Sequence, residues 1–134
     1  PWLRTALHEA GVEIRPSDLP DDDAGRKAKL ANIDDIRVGL TGAHGGLADT
    51  GAVALISGPG RSRAASLLPP VHIALLPAGR LYPSLPAFLA DHPAATGQGS
   101  NLVFIAGPSR TGDIEMTLSL GVHGPGEVHV IITP

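Results

Sequence analysis

Five short apolar runs, Ile36–Leu40, Ala52–Ser57, Val71–Leu76, Leu102–Ala106 and Val128–Thr133, divide most of this chain into strand-sized pieces. Several are nearly continuous Val, Ile, Leu and Ala, the pattern of strands covered on both faces. Trp2, Tyr82, Phe88 and Phe104 are the only aromatics, so aliphatic side chains must fill the core. Between the third and fourth runs lies SLPAFLADH, where Ser84 is placed to cap a helix carrying Leu85, Phe88 and Leu89 on one side. Runs of this kind alternating with turn and helix signals predict an α/β domain with a mostly parallel sheet. At 134 residues the chain is expected to be one domain around one core.

The N-terminal quarter reads differently. Trp2, Leu3, Ala6, Leu7 and Ala10 recur at helical spacing, and Gly11 stands where that helix should end. Val12-Glu13-Ile14 alternates like a short strand, and PSDLPDDDAGR, from Pro16 to Arg26, reads as a solvated loop. Its three consecutive aspartates lack the spacing of a Ca²⁺ loop. Near the other end, Met116, Leu118 and Leu120 alternate with Thr117 and Ser119, which favours a strand over a helix.

Several function classes are disfavoured at once. A net charge of −3, no basic stripe and few aromatic platforms argue against nucleic-acid binding. With no cysteine, the chain has no disulfide and no thiolate for zinc or an ordinary iron–sulfur cluster. Redox chemistry would have to come from a bound cofactor or a partner. No apolar run approaches about 18 residues, so no membrane span is expected. The chain opens at Pro1 with neither Met nor a charged-then-apolar leader, which predicts a cytoplasmic protein with an incomplete N-terminus.

Two loops share a layout. ISGPGRS (Ile56–Ser62) and IAGPSRT (Ile105–Thr111) each end an apolar run in Gly-Pro, then place an arginine beside hydroxyls. If their strands are parallel neighbours, both turns face one crevice, where open α/β sheets bind ligands. Gly107, Pro108, Ser109, Arg110 and Thr111 have the ingredients of an anion cradle: close backbone N–H groups, two hydroxyls and a guanidinium. Arg61 and Arg63 would supplement it, and Asp49-Thr50-Gly51 would face the same crevice or form a locally bonded turn. The other reading of GPSRTGD is a strand-to-helix turn with Thr111 as N-cap and Asp113 and Glu115 complementing the helix dipole.

Sharper motifs do not fit. The glycines are not followed by Gly-Lys-Ser/Thr, no G-x-G-x-x-G is present, and G-x-S-x-T misses the nucleophile elbow by one residue. The candidate catalytic residues are His123, for proton transfer, with Asp113 and Glu115; a Ser109–Asp113–His123 triad can be written. No histidine pair has metal-ligand spacing, so no metal site is expected. His72 and His129 fall within strands and read as structural, whereas His44 and His123 lie in glycine-bracketed loops, where an exposed imidazole can meet a substrate.

Three stretches carry a family resemblance. LTGAHGGLADTGAVAL, SLLPPVHIALLP and GPSRTGDIEMTLSLGVHGPGEVHVII resemble, in order, the signature blocks of the lactate-utilization protein C family, the LUD domain. The resemblance covers about Ile36 to Pro134; the family usually has Ala where Gly112 stands and Glu where Asp49 stands. It implies a fold similar to ribose-5-phosphate isomerases and CoA transferases, in three layers. It also implies a role beside two iron–sulfur partners in oxidising L-lactate to pyruvate, with the clusters in the partners and no cofactor in this chain. The alternatives are a stand-alone sugar-phosphate isomerase or acyl-CoA-type enzyme, in which a carboxylate among Asp49, Asp113 and Glu115 is essential, or a non-catalytic scaffold.

Overall fold

A computed structural model describes residues 2–17, 20, 22–33, 35–58, 60–112, 118–120 and 123–134; at 30, 110–112 and 118–120 only the backbone is described. Helix α1 (Trp2–Glu9) stops as its sequence requires. Gly11, at φ +75°, donates its N–H to His8 O at 3.0 Å, and Val12 donates to Leu7 O at 2.9 Å. That pair of bonds satisfies the last carbonyls through a left-handed glycine.

The segment after α1 corrects two expectations. Residues 12–14 pair with no strand among the described residues, because three alternating residues are too few to specify a partner. The expected loop to Arg26 gives way to α2 (Asp23–Ala31). Its aspartates are helix-starting chemistry: Asp22 Oδ1 accepts the Gly25 N–H at 2.6 Å, an N-cap bond.

The remaining elements follow in order: β1 (Val38–Gly42), β2 (Gly45–Leu47), β3 (Ala52–Ser57), α3 (Ala64–Leu67), β4 (Val71–Pro77) and a 3₁₀ turn (Ala78–Arg80). Then come β5 (Leu81–Tyr82), α4 (Leu85–Asp91), β6 (Asn101–Ile105), β7 (Arg110–Gly112), β8 (Leu118–Leu120) and β9 (Glu127–Thr133). The fold is α/β, with its strands divided between sheets. One sheet, β1-β4-β9, is parallel throughout, with Val38 opposite Val71 and Val71 opposite Glu127. The other, β5-β2-β3-β6, is mixed: β2 runs parallel to β5, and β3 is antiparallel to both β2 and β6. Strands β7 and β8 form a separate antiparallel pair.

Strand β3 is the centre of the packing, and all six of its residues are buried. Ala52, Ala54 and Ile56 face Phe88 of α4, while Val53 and Leu55 meet Ala74 and Leu76 of β4. The strand therefore lies between a helix and the parallel sheet, which explains its unbroken apolar sequence. Phe88 is fully buried and meets Tyr82 and Phe104 edge-on, at centroid distances of 5.4 and 5.7 Å. Truncating such a ring typically costs about 3–5 kcal/mol. Ser84 takes the expected position before α4, yet its side chain makes no capping bond.

Candidate functional site

The two residues between β1 and β2, Ala43 and His44, carry the chain from one sheet to the other. Ala43 donates its N–H to Leu75 O in the parallel sheet, and His44 donates to Ala54 O in the mixed one, both at 2.8 Å. Pairing of β2 with β3 ends at Gly45 opposite Ala54. Two residues further along β3, the N–H of buried Ile56 meets the His44 imidazole instead of a carbonyl, donating to Nδ1 at 3.1 Å. The ring thus extends the ladder by one bond and is held by it.

The opposite ring nitrogen faces an arginine. Gly58 and Arg61 exchange backbone bonds at 3.1 and 2.9 Å, closing the turn after β3. That turn sends the Arg61 side chain back over the sheet, where Nη1 lies 3.0 Å from His44 Nε2. Both border a cleft of about 150 Å³ whose polar lining includes Thr41, Ser57, Arg63 and Ser66. No Asp or Glu lines it among the described residues. Burial, and then the charges of Arg61 and Arg80, push the His44 imidazole below its ordinary pKa, so it is neutral at pH 7. The cleft combines guanidinium charge with hydroxyls and, among the described residues, no carboxylate, which suits an acidic small molecule.

Below it, His72 of β4 is fully buried, and its Nε2 lies 2.8 Å from Thr41 Oγ1. Its Nδ1 has no hydrogen-bond partner, and burial lowers its pKa. The expected structural role of His72 holds. His129 instead lies exposed on β9, with Nε2 3.5 Å from Glu127 Oε2.

The single crevice expected from the two Gly-Pro turns does not form. Strands β3 and β6 are neighbours but antiparallel, pairing Val53 with Ile105 and Ser57 with Asn101. Arg61 follows one end of this pair, and Gly107, Pro108 and Ser109 follow the other. The paired stretch separates those ends by about 13 Å at the usual strand rise. Asp49, Thr50 and Gly51 lie at the Gly107 end, in the turn joining β2 to β3. Their groups close that turn: Gly51 donates to Leu47 O at 2.8 Å, and Thr50 Oγ1 accepts the Ala52 N–H at 3.3 Å.

The Gly107 loop is also partly committed to the segment before β9. Ser109 donates its N–H to Pro125 O at 2.8 Å, and its hydroxyl accepts the His123 N–H at 3.3 Å. Arg110 and Thr111 lie in strand β7, so Thr111 does not cap a helix. Asp113 and Glu115 lie outside the described residues. His123 is exposed beside Ser109, and neither approaches Arg61 through any bond in the structure. The residues missed from sequence are Thr41, Ser57 and Ser66, polar positions in or beside apolar runs whose only signal was that interruption.

Among the described residues, no group of three His, Cys, Asp or Glu could hold a metal ion. No helix there is long and apolar enough to cross a membrane.

Known proteins resemble this chain in sequence or in fold. An uncharacterized protein of Neisseria meningitidis serogroup B is 36% identical over 129 residues, covering 96% of this chain and 54% of that protein. A lactate utilization protein C of Shouchella clausii is 36% identical over 130 residues, covering 92% of this chain and 57% of that protein. The chain thus spans about half the length of the curated relatives it matches. A solved DUF162 family protein from Deinococcus radiodurans has the same fold, with a TM-score of 0.63 at 21% identity over 98% of this chain and 82% of that one. The sequence pattern of the LUD domain runs from residue 3 to residue 133, taking in both sheets and the His44–Arg61 cleft, and the chain belongs to the LUD domain family.

Proposed function

We propose that this chain is the LUD-domain part of a cytoplasmic lactate-utilization protein, and that it holds a small organic anion in the His44–Arg61 cleft. Iron–sulfur partner proteins carry the electrons as L-lactate is oxidised to pyruvate. The relatives named lactate utilization protein C support the system. A chain without cysteine offers no thiolates for clusters, which suits electron carriers located in partners.

One observation carries the binding role: Arg61 and His44 converge at 3.0 Å in a cleft that no carboxylate lines among the described residues. Arg61 is exposed, so its permanent guanidinium charge is open to an incoming carboxylate or phosphate, which its planar fork can meet with two hydrogen bonds. The chain's part is positioning, with Arg61 holding the anionic end and hydroxyls such as Thr41 orienting the rest.

Calorimetric titration with L-lactate, pyruvate and inorganic phosphate tests this reading. At least one of them should bind, and Arg61→Ala should weaken it on the order of 10–100-fold, the worth of a charge-assisted hydrogen bond. A folded protein that binds none of the three contradicts the proposal.

A further inference from the structure

We infer that His44 and Arg61 act together as a two-point donor for a 2-oxo- or 2-hydroxycarboxylate, Arg61 taking the carboxylate and the His44 Nε2–H the neighbouring oxygen on C2. The inference rests on the anion-binding reading above and assigns its chemical class.

The proton position on His44 follows from one bond. Ile56 N–H donates to Nδ1 at 3.1 Å, so Nδ1 must carry a lone pair. In a neutral imidazole the proton then sits on Nε2. The opposite tautomer would strand the amide of Ile56, a residue 2% exposed, and a buried unpaired N–H costs about 1–3 kcal/mol. Nε2–H therefore points toward Arg61 Nη1, which can only donate, across 3.0 Å. Two donors at that distance satisfy neither each other nor themselves. An acceptor seated beside both satisfies them, and among the described residues no carboxylate lining the cleft supplies one.

Two further observations narrow the acceptor. The cleft's volume of about 150 Å³ matches an engineered protein cavity that takes up benzene, which has as many non-hydrogen atoms as lactate or pyruvate. The two donors are adjacent, as are the carboxylate and C2 oxygens of a 2-oxo or 2-hydroxy acid. Thr41 adds a third group. Because orphaned buried N–H groups are rarer than orphaned acceptors, the better proton position on His72 is Nε2, donating to Thr41 Oγ1. The Thr41 hydroxyl proton is then left for the cleft that Thr41 lines. His44 is thereby a specificity-determining donor that works as a neutral ring.

The test combines a ligand panel with a tautomer measurement on the whole chain. Nitrogen-15 NMR should show His44 protonated at Nε2 at pH 7; protonation at Nδ1 overturns the inference without any ligand. In titrations of the unmodified protein, pyruvate and L-lactate should bind more tightly than propionate, which lacks the C2 oxygen, by on the order of tenfold or more. His44→Asn keeps an acceptor near the position of Nδ1 and removes the Nε2 donor, so it should bring pyruvate and propionate to similar affinity. If propionate and pyruvate bind the unmodified protein equally, the two-point donor is wrong while anion binding stands. If only phosphate binds, the carboxylate class is wrong and anion binding again stands. If nothing binds, both fall.

Discussion

Thr41 Oγ1 and His72 Nε2 meet at 2.8 Å between β1 and β4, on the face of the parallel sheet that packs against β3. His72 is fully buried, and burial holds its pKa below the ordinary histidine value of about 6.5. The unfolded chain therefore takes up a proton near pH 6.5, whereas the folded chain resists doing so until lower pH. The contribution of the neutral ring is complete above pH 6.5 and is lost as pH falls through the lowered folded pKa. Stability should decline below pH 6.5 with a slope of up to about 1.4 kcal/mol per pH unit from this group. His44 adds to it in the same direction. Urea unfolding at pH 5.5, 6.5 and 7.5 measures the slope, and His72→Gln should flatten it; an unchanged slope in a folded variant contradicts the account.

Ser109 makes a second case. Its N–H and hydroxyl bind Pro125 O and the His123 N–H, so it ties the turn after β6 to the segment before β9. Ser109→Ala removes only the longer of these bonds and should cost about 1 kcal/mol of stability. Because the His44–Arg61 cleft lies at the other end of the β3–β6 pair, carboxylate affinity should be unchanged. Chemical denaturation and calorimetry on one preparation separate the two effects. Unchanged stability with lost binding would return the anion site to Ser109.

The apolar runs revealed β3 and β4 almost to the residue, because β3 is buried on both faces and β4 is buried on one face and half-buried on the other, which leaves little room for polar side chains. What a run cannot carry is the direction of its neighbour. Val53 and Ile105 look alike in parallel and antiparallel sheets, so the position of Arg61 relative to Gly107 was not readable. The start of α2 was hidden because the same aspartates that favour solvated loops also cap helices, as Asp22 does. His44 was legible as a loop imidazole of interest. Its pairing with Arg61 was not, since it depends on the turn that folds Arg61 back across the end of β3. The GPSRTG turn showed cradle chemistry, yet part of its donor set is spent within the fold.

Arg15 joins the segment after α1 to the end of α2. Its Nε donates to Glu13 at 2.8 Å, and its Nη1 donates to Asp35 at 2.7 Å and to Asn32 O at 3.0 Å. The guanidinium holds the Glu13 and Asp35 carboxyls below their usual range. These groups are exposed, so their loss should leave the overall unfolding midpoint nearly unchanged. Local opening should respond instead. Arg15→Ala should speed amide exchange over residues 12–17 and 31–33 while leaving β3 protected. Uniformly faster exchange, reaching β3, would show that this segment supports the core.

Gly39 of β1 lies under α3, and a methyl group built on it would fall on the Ala65 carbonyl oxygen. That contact is backbone against backbone, which no side-chain rotation relieves. Gly39→Ala must push α3 off the sheet or bend β1, and overpacking of this kind costs about 1–3 kcal/mol, sometimes more. Because α3 carries Ala65 and Ser66 into the wall of the cleft, the displacement should also weaken carboxylate binding. Gly42, on the same strand, has open space where its Cβ would lie, so Gly42→Ala serves as the control and should cost well under half as much. Thermal unfolding of the two variants side by side decides the point: equal losses would mean that α3 does not pack on β1 as closely as the Gly39–Ala65 contact requires.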